Sequence, residues 1–249
     1  MPSTPDSAGS RGQSNVIGVA LLLAITVIGI GGMTAGIGAV IESNAASADA
    51  TSVADGFDDV LQPSATTGHR TGEVRFTDGQ LWIKPRRLRL LNDSGPIETV
   101  AVDALVYESG DSRVAYHGDA VVRGSAGSAW FRSPPAITVD GDVGGPLLVN
   151  APRLNASHVG IGGNSGRPIQ LGTDVTHERQ SLGTDSYRIA VETSTPGPWK
   201  RYFEDVGATV ETTDRAFPGD RETSVVARID GDRTAYLVTH DLRLEVGYG

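Results

Sequence analysis

Five histidines, at 69, 117, 158, 177 and 240, are the side chains best suited to acid–base or metal chemistry near neutral pH. Their spacing supplies neither. No His-Glu-x-x-His pair sets two imidazoles on one helical face, and His177-Glu178 lacks the second histidine. No Gly-x-Ser-x-Gly elbow presents a serine nucleophile. The segment GIGGNSGRPIQLG, residues 160–172, begins Gly-x-Gly but has no following Lys-Ser/Thr and opens no periodic helix, so it reads as a surface loop rather than a phosphate cradle. Asp140-Gly141-Asp142 and Asp230-Gly231-Asp232 set carboxylates around a glycine. A calcium loop needs more oxygen ligands at defined offsets, so both read as solvated turns. The chain has no cysteine, which excludes disulfides, thiolate metal sites and cysteine nucleophiles. The expectation is a protein that is not an enzyme, with no catalytic, metal or cofactor-binding residue and no small-molecule substrate. Two sequons, Asn92-Asp93-Ser94 and Asn155-Ala156-Ser157, offer acceptors for N-glycosylation in an exported chain.

The charge pattern narrows the partners. With 249 residues the chain can build one sizeable domain or two small ones, and its formal net charge of -9 leaves no basic footprint for nucleic acid. There are 19 Arg against 2 Lys, and 20 Asp against 10 Glu. Short acidic groups and almost no lysine suit a chain hydrated in concentrated salt, so a halophilic source is expected. A high-GC genome favours the same residues.

The positioning elements begin with SRGQSNVIGVALLLAITV, residues 10–27. From Val16 to Ile41 the chain carries no charge over 26 residues, whereas a helix needs about 20 to cross a bilayer core. A secretory signal has an apolar stretch of about 7–15 residues and a small-residue exit site, so this run reads as a transmembrane helix instead. Arg11 precedes it, and Glu42, Asp49, Asp55, Asp58 and Asp59 follow, which keeps the amino end in the cytoplasm and places the bulk outside. Gly32 and Gly36 have the four-residue spacing that lets helices approach closely. Beyond the run, Val53, Phe57, Val60 and Leu61 fall at i, i+4, i+7 and i+8, one apolar face that Pro63 ends. A helix from about 16 to about 61 would be some 70 Å long.

Arg11-Gly12 followed by Gln13-Ser14-Asn15-Val16-Ile17-Gly18 resembles the start of the archaeal type IV pilin-like proteins, specifically those of haloarchaea. In that family a short polar leader ends in a basic and a small residue, and a prepilin peptidase cuts there, before the apolar helix. The resemblance implies a cut between Gly12 and Gln13, a helix that anchors the subunit and then forms a filament core, and other pilin-like subunits as partners. It rests on about 30 residues; over the rest the likeness is one of layout. Many bacterial pilins carry a glutamate at the fifth mature position, where this chain has Ile17.

From about residue 71 onward period-two alternation dominates. Val100, Val102, Ala104 and Val106 form one run, read as a strand covered on both faces. Leu88 and Leu90, Tyr187 to Val191, Val225 to Ile229, Ala235 and Leu237, and Leu242 to Val246 form others. A change of phase predicts a bulge or bend near Thr239–Asp241, and Asp230-Gly231 predicts a hairpin. Pro198 suits a first helical position, with Trp199, Tyr202, Phe203 and Val206 on one face, read as aromatics packed on the sheet, and Gly207 as a stop.

The expected fold class is α+β: a long N-terminal transmembrane helix, then an antiparallel, sandwich-like β domain with one short helix. The expected divisions are a leader at 1–12, the helix at 13–62 and an extracellular domain at 63–249. The expected function is that of a type IV pilin-like surface protein, a single-pass protein of the cell membrane assembled into filaments for adhesion or attachment. The alternative is an uncleaved, membrane-tethered β domain acting as a binding module.

Overall fold

In the computed structural model, residues 11–248 are described apart from 66, 126, 141–143, 157–159 and 163–166. Side chains are described from residue 19, without those of 29, 32 and 34–39. The chain divides into two units, Met1–Ala45 and Ala46–Gly249.

Helix α1 runs Arg11–Val60. In the second unit its last turns carry the predicted apolar stripe: Val53, Ala54 and Phe57 are wholly buried and Val60 nearly so. Leu61 donates its N–H to the Phe57 carbonyl, and Pro63 begins a 3-10 turn, Pro63–Ala65, where its ring forbids further helix. Asp49 accepts from the N–H groups of Thr77 and Asp78 at 2.8 and 3.3 Å.

Among the described residues fifteen strands follow. The first eight are β1 (Gly68–Val74), β2 (Gln80–Lys84), β3 (Arg87–Asn92), β4 (Gly95–Ala101), β5 (Ala104–Ser109), β6 (Ser112–His117), β7 (Ala120–Arg123) and β8 (Trp130–Ser133). Then come β9 (Ile137–Val139), β10 (Pro146–Arg153), β11 (Gly160–Gly162) and the 24-residue β12 (Ile169–Glu192). Helix α2 (Pro196–Asp205) precedes β13 (Thr209–Arg215), β14 (Ser224–Asp241) and β15 (Glu245–Tyr248). One sheet has nine strands in the order β4-β3-β12-β14-β10-β9, with β1 and β15 on the first part of β12 and β13 on β14. The other has six, in the order β11-β2-β5-β6-β7-β8.

Two cores result. Phe57 and Val53 of α1 sit with Leu81, Leu105, Tyr107 and Tyr116 of the six-stranded sheet and Ile169, Leu171 and Val175 of β12. Trp199 and Phe203 of α2 sit with Leu88, Leu147, Tyr187, Ile189 and Val225 of the nine-stranded sheet. The aromatics of α2 are core residues, as their spacing predicts, although the helix begins at Pro196, two residues before the expected Pro198.

Several expectations are corrected. The α+β class with a transmembrane helix and an antiparallel sandwich gives way to a mostly β chain in open sheets. Its pairing is not purely antiparallel, because β10 runs parallel to β14 from Pro146↔Thr234 to Arg153↔Asp241. The run at 100–106 is two strands, not one. β4 ends at Ala101 in one sheet and β5 starts at Ala104 in the other. Arg86 drives the change: its carbonyl accepts from the Val102 N–H at 2.9 Å, and its own N–H donates to the Asp103 carboxylate at 3.3 Å. Asp230-Gly231 makes no hairpin. β14 runs straight through it opposite β12, and the pairing slips between Ser186 and Arg188 instead. Gly231 takes a positive φ of 75°, which a bulge uses as readily as a turn. The bend expected near Thr239–Asp241 falls at the end of β14, where Leu242 and Leu244 donate to the carbonyls of Arg153 and Leu154.

Candidate functional site

The first unit presents an apolar helix surface. Leu22, Ile25, Ile28 and Met33 are 65–74% exposed, and Val19, Leu21, Leu23, Val27, Val40 and Ile41 are 58–65% exposed. Leu21, Leu22 and Leu23 are consecutive, so at 3.6 residues per turn the surface wraps the helix rather than forming one stripe. The hydroxyl of Thr26 donates to the Leu22 carbonyl at 2.7 Å, which satisfies it within the helix and leaves the surface suited to an apolar surrounding. A methyl group added at Gly31 would meet nothing within 4 Å.

The single-pass membrane localisation is corrected at this element. Among the described residues no helix is long and apolar enough to cross a membrane. The longest stretch of described apolar side chains, 19–28, is about half of the roughly 20 residues a bilayer core requires. Arg11, Gly12 and Gln13, the expected cleavage site, begin α1, and their side chains lie outside the described residues, as do those of Gly32 and Gly36.

The two sequon asparagines lie in the second unit. Asn92 ends β3; its Nδ2 donates to Asp185 at 2.9 Å, and its Oδ1 accepts from the Ser94 N–H at 2.9 Å. That bond from Asn92, with a second from the Ser186 backbone, holds the Asp185 carboxyl below the usual range. Asn155 is exposed in the left-handed region at φ 44°, and its Nδ2 donates to both oxygens of Asp241 at 3.1 Å. Ser157 of that sequon lies outside the described residues. The Nδ2 atom that glycosylation modifies is thus held by a carboxylate in both.

Among the described residues no three His, Asp or Glu side chains gather into a metal cluster. Of the glycine-flanking aspartates, Asp142 lies outside the described residues, and Asp230 pairs with Arg228 at 3.5 Å. His117 is buried at the end of β6, with its ring edge-on to Trp199 at 5.5 Å. Burial, then Arg86 and Arg113, push its imidazole down to about 3, so it is neutral in the native protein. Asp119, one turn away, is driven up to about 6 by burial, against hydrogen bonds from Ser64 and Tyr116. These are packing groups of the interior. Spacing in the sequence misses one pair entirely. His177 and His240, 63 residues apart, face each other directly across β12 and β14. No local signal reveals that, because the register of two long strands makes it.

Over residues 11–245 the chain matches the model of a family of unknown function (DUF7289), and it belongs to that family. No curated protein and no solved structure matches it.

Proposed function

We propose that this member of the family is a pilin-like subunit that assembles with other pilin-like subunits through the first part of α1 and carries its β domain on the outside of the assembly, for attachment. The observation that carries the reading is the set of exposed large apolar side chains described between Val19 and Ile41. Each such Leu, Ile or Val gains about 1.5–3 kcal/mol on full burial, so these exposed side chains, densest over residues 19–28, call for an apolar partner. A second copy supplies one of the same length and chemistry. Among the described residues beyond Ile41, by contrast, the exposed large apolar side chains are the isolated Ile97, Trp130 and Tyr248.

In this reading a prepilin peptidase cuts between Gly12 and Gln13, removing the polar leader from the end that assembles. Intact-mass measurement of the protein from its native cells tests the cut. A chain beginning at Gln13 is expected, and Gly12→Phe leaves the leader in place. A chain retaining Met1–Gly12, in cells that process other pilins, contradicts the reading.

A further inference from the structure

His177 and His240 are register partners across β12 and β14, with ring centroids 4.9 Å apart and planes at 85°. Their Nδ1 atoms lie 2.7 Å apart. The outer nitrogen of each ring is also held: His177 Nε2 lies 2.8 Å from the Thr67 hydroxyl, and His240 Nε2 lies 2.8 Å from Asn150 Oδ1.

The direction of these bonds follows from one fixed end. Asn150 Nδ2 donates to the Ala136 carbonyl at 2.5 Å, which can only accept. Asn150 therefore turns its Oδ1 to His240, so His240 Nε2 carries the proton and its Nδ1 carries a lone pair. That lone pair points at His177 Nδ1, which donates to it, and Thr67 donates to His177 Nε2. One step converts this chain into a chelate. If the His177 proton sits on Nε2 instead, the Thr67 hydroxyl accepts it, and the two Nδ1 lone pairs face each other, both free to bind an ion. Both rings stay neutral and no proton is gained or lost.

The geometry points to a binding site at the His177–His240 pair for a transition-metal dication that prefers imidazole and right-angle coordination, such as Cu²⁺ or Ni²⁺. Metal–nitrogen bonds of about 2.0–2.1 Å at a right angle put the two nitrogens about 2.9 Å apart, so their separation grows by only about 0.2 Å while each ring turns by about 45° to aim its lone pair at the ion. The outer-nitrogen contacts to Thr67 and Asn150 are what an imidazole ligand requires: an oxygen partner that fixes the tautomer and the ring plane. His240 is buried and His177 exposed, so the ion enters from the His177 side, and water fills the positions that no third His, Asp or Glu takes among the described residues.

The test is titration of the untagged full chain with Cu²⁺ at pH 7, followed by calorimetry and electron paramagnetic resonance. One Cu²⁺ per chain is expected, with hyperfine structure from two imidazole nitrogens. His177→Ala, at an exposed position, is expected to weaken binding at least about tenfold, and Thr67→Val by about tenfold, with far-ultraviolet circular dichroism unchanged. If either variant loses the native spectrum, the signal of the unsubstituted chain decides, two nitrogens supporting the site and none overturning it. No stoichiometric binding, or binding that His177→Ala leaves intact, overturns it.

Discussion

Two stretches of α1 carry similar side chains into opposite surroundings. From Val53 to Val60 the apolar residues are 0–2% exposed, held against two sheets, and the polar face is tied down by Arg132, which pairs with Asp55 at 2.7 Å and Asp58 at 2.9 Å. The large apolar side chains described between Val19 and Ile41 are 58–74% exposed, and no acidic or basic residue interrupts the run in sequence. The pattern differs in kind. The covered stretch is apolar at i, i+4 and i+7, matching a fixed partner on one side, whereas the exposed stretch is apolar all round, matching partners on several sides. One end of the helix is therefore buried in the subunit's own core, and in the proposed reading the other packs against neighbouring subunits.

The largest effect that tests this division is expected at Phe57. Removing its ring from a fully buried position opens a cavity, so Phe57→Ala costs about 3–5 kcal/mol, read as a lowered urea midpoint. A change under about 1 kcal/mol would mean that this end of α1 is not part of the core.

A second effect depends on pH and reports on the same core, because Ser64, in the turn after α1, reaches Asp119. His117 has its native value lowered from 6.5 to about 3, so its contribution is complete above about 6.5 and is lost as pH falls toward 3. Asp119 has its native value raised from 3.8 to about 6, so its contribution is complete below about 3.8 and is lost as pH rises toward 6. Between pH 4 and 6 the two oppose each other. Asp119→Asn removes one side, so the stability of the variant gains on that of the unsubstituted chain as pH rises from 4 to 6, by at most about 1.4 kcal/mol per pH unit. Urea midpoints at pH 4, 5 and 6 measure it, and parallel curves for the two chains would contradict the burial of Asp119.

The smallest effects come from two glycines of α1. A Cβ at Gly56 would lie 2.8 Å from Val74 Cγ2 and 2.9 Å from the Glu73 carbonyl, and the carbonyl cannot easily give way. Gly56→Ala is expected to destabilise by about 1–2 kcal/mol, overpacking outweighing the gain in helix propensity. At Gly31 the space is open, and Gly31→Ala is expected to raise the helicity of the dissociated subunit by about 0.5–1 kcal/mol. Circular dichroism of both variants checks the contrast, and equal effects would remove it.

Legibility in the sequence follows the range of the forces. The apolar stripe Val53–Leu61 and the aromatic face of α2 are local and helical, and both were readable from spacing alone. Asp230-Gly231 was ambiguous for a physical reason, since a positive φ at glycine serves a bulge and a hairpin equally, and only the partner strand β12 selects the bulge. The division at Ala101–Ala104 was hidden because alternation continues across it while Arg86, more than a dozen residues earlier, captures the backbone. The fold class is hard to read because an uncharged run weighs heavily in sequence, while the alternation of the long strands β12 and β14 is broken by glycines and polar residues at 180–186 and 230–234. The His177–His240 pair was invisible because it exists only in the β12–β14 register.

The central claim, that the first part of α1 is covered by other copies, is tested most directly by sedimentation of the chain beginning at Gln13 in detergent-free buffer. It is compared with the same chain carrying Leu22→Asp and Ile28→Asp. The unsubstituted chain is expected to sediment as a large assembly. The double variant is expected to sediment as single subunits, with its urea midpoint moved by no more than about 0.5 kcal/mol, because both positions are exposed. Single subunits from the unsubstituted chain, or equal assembly by both, would contradict the account.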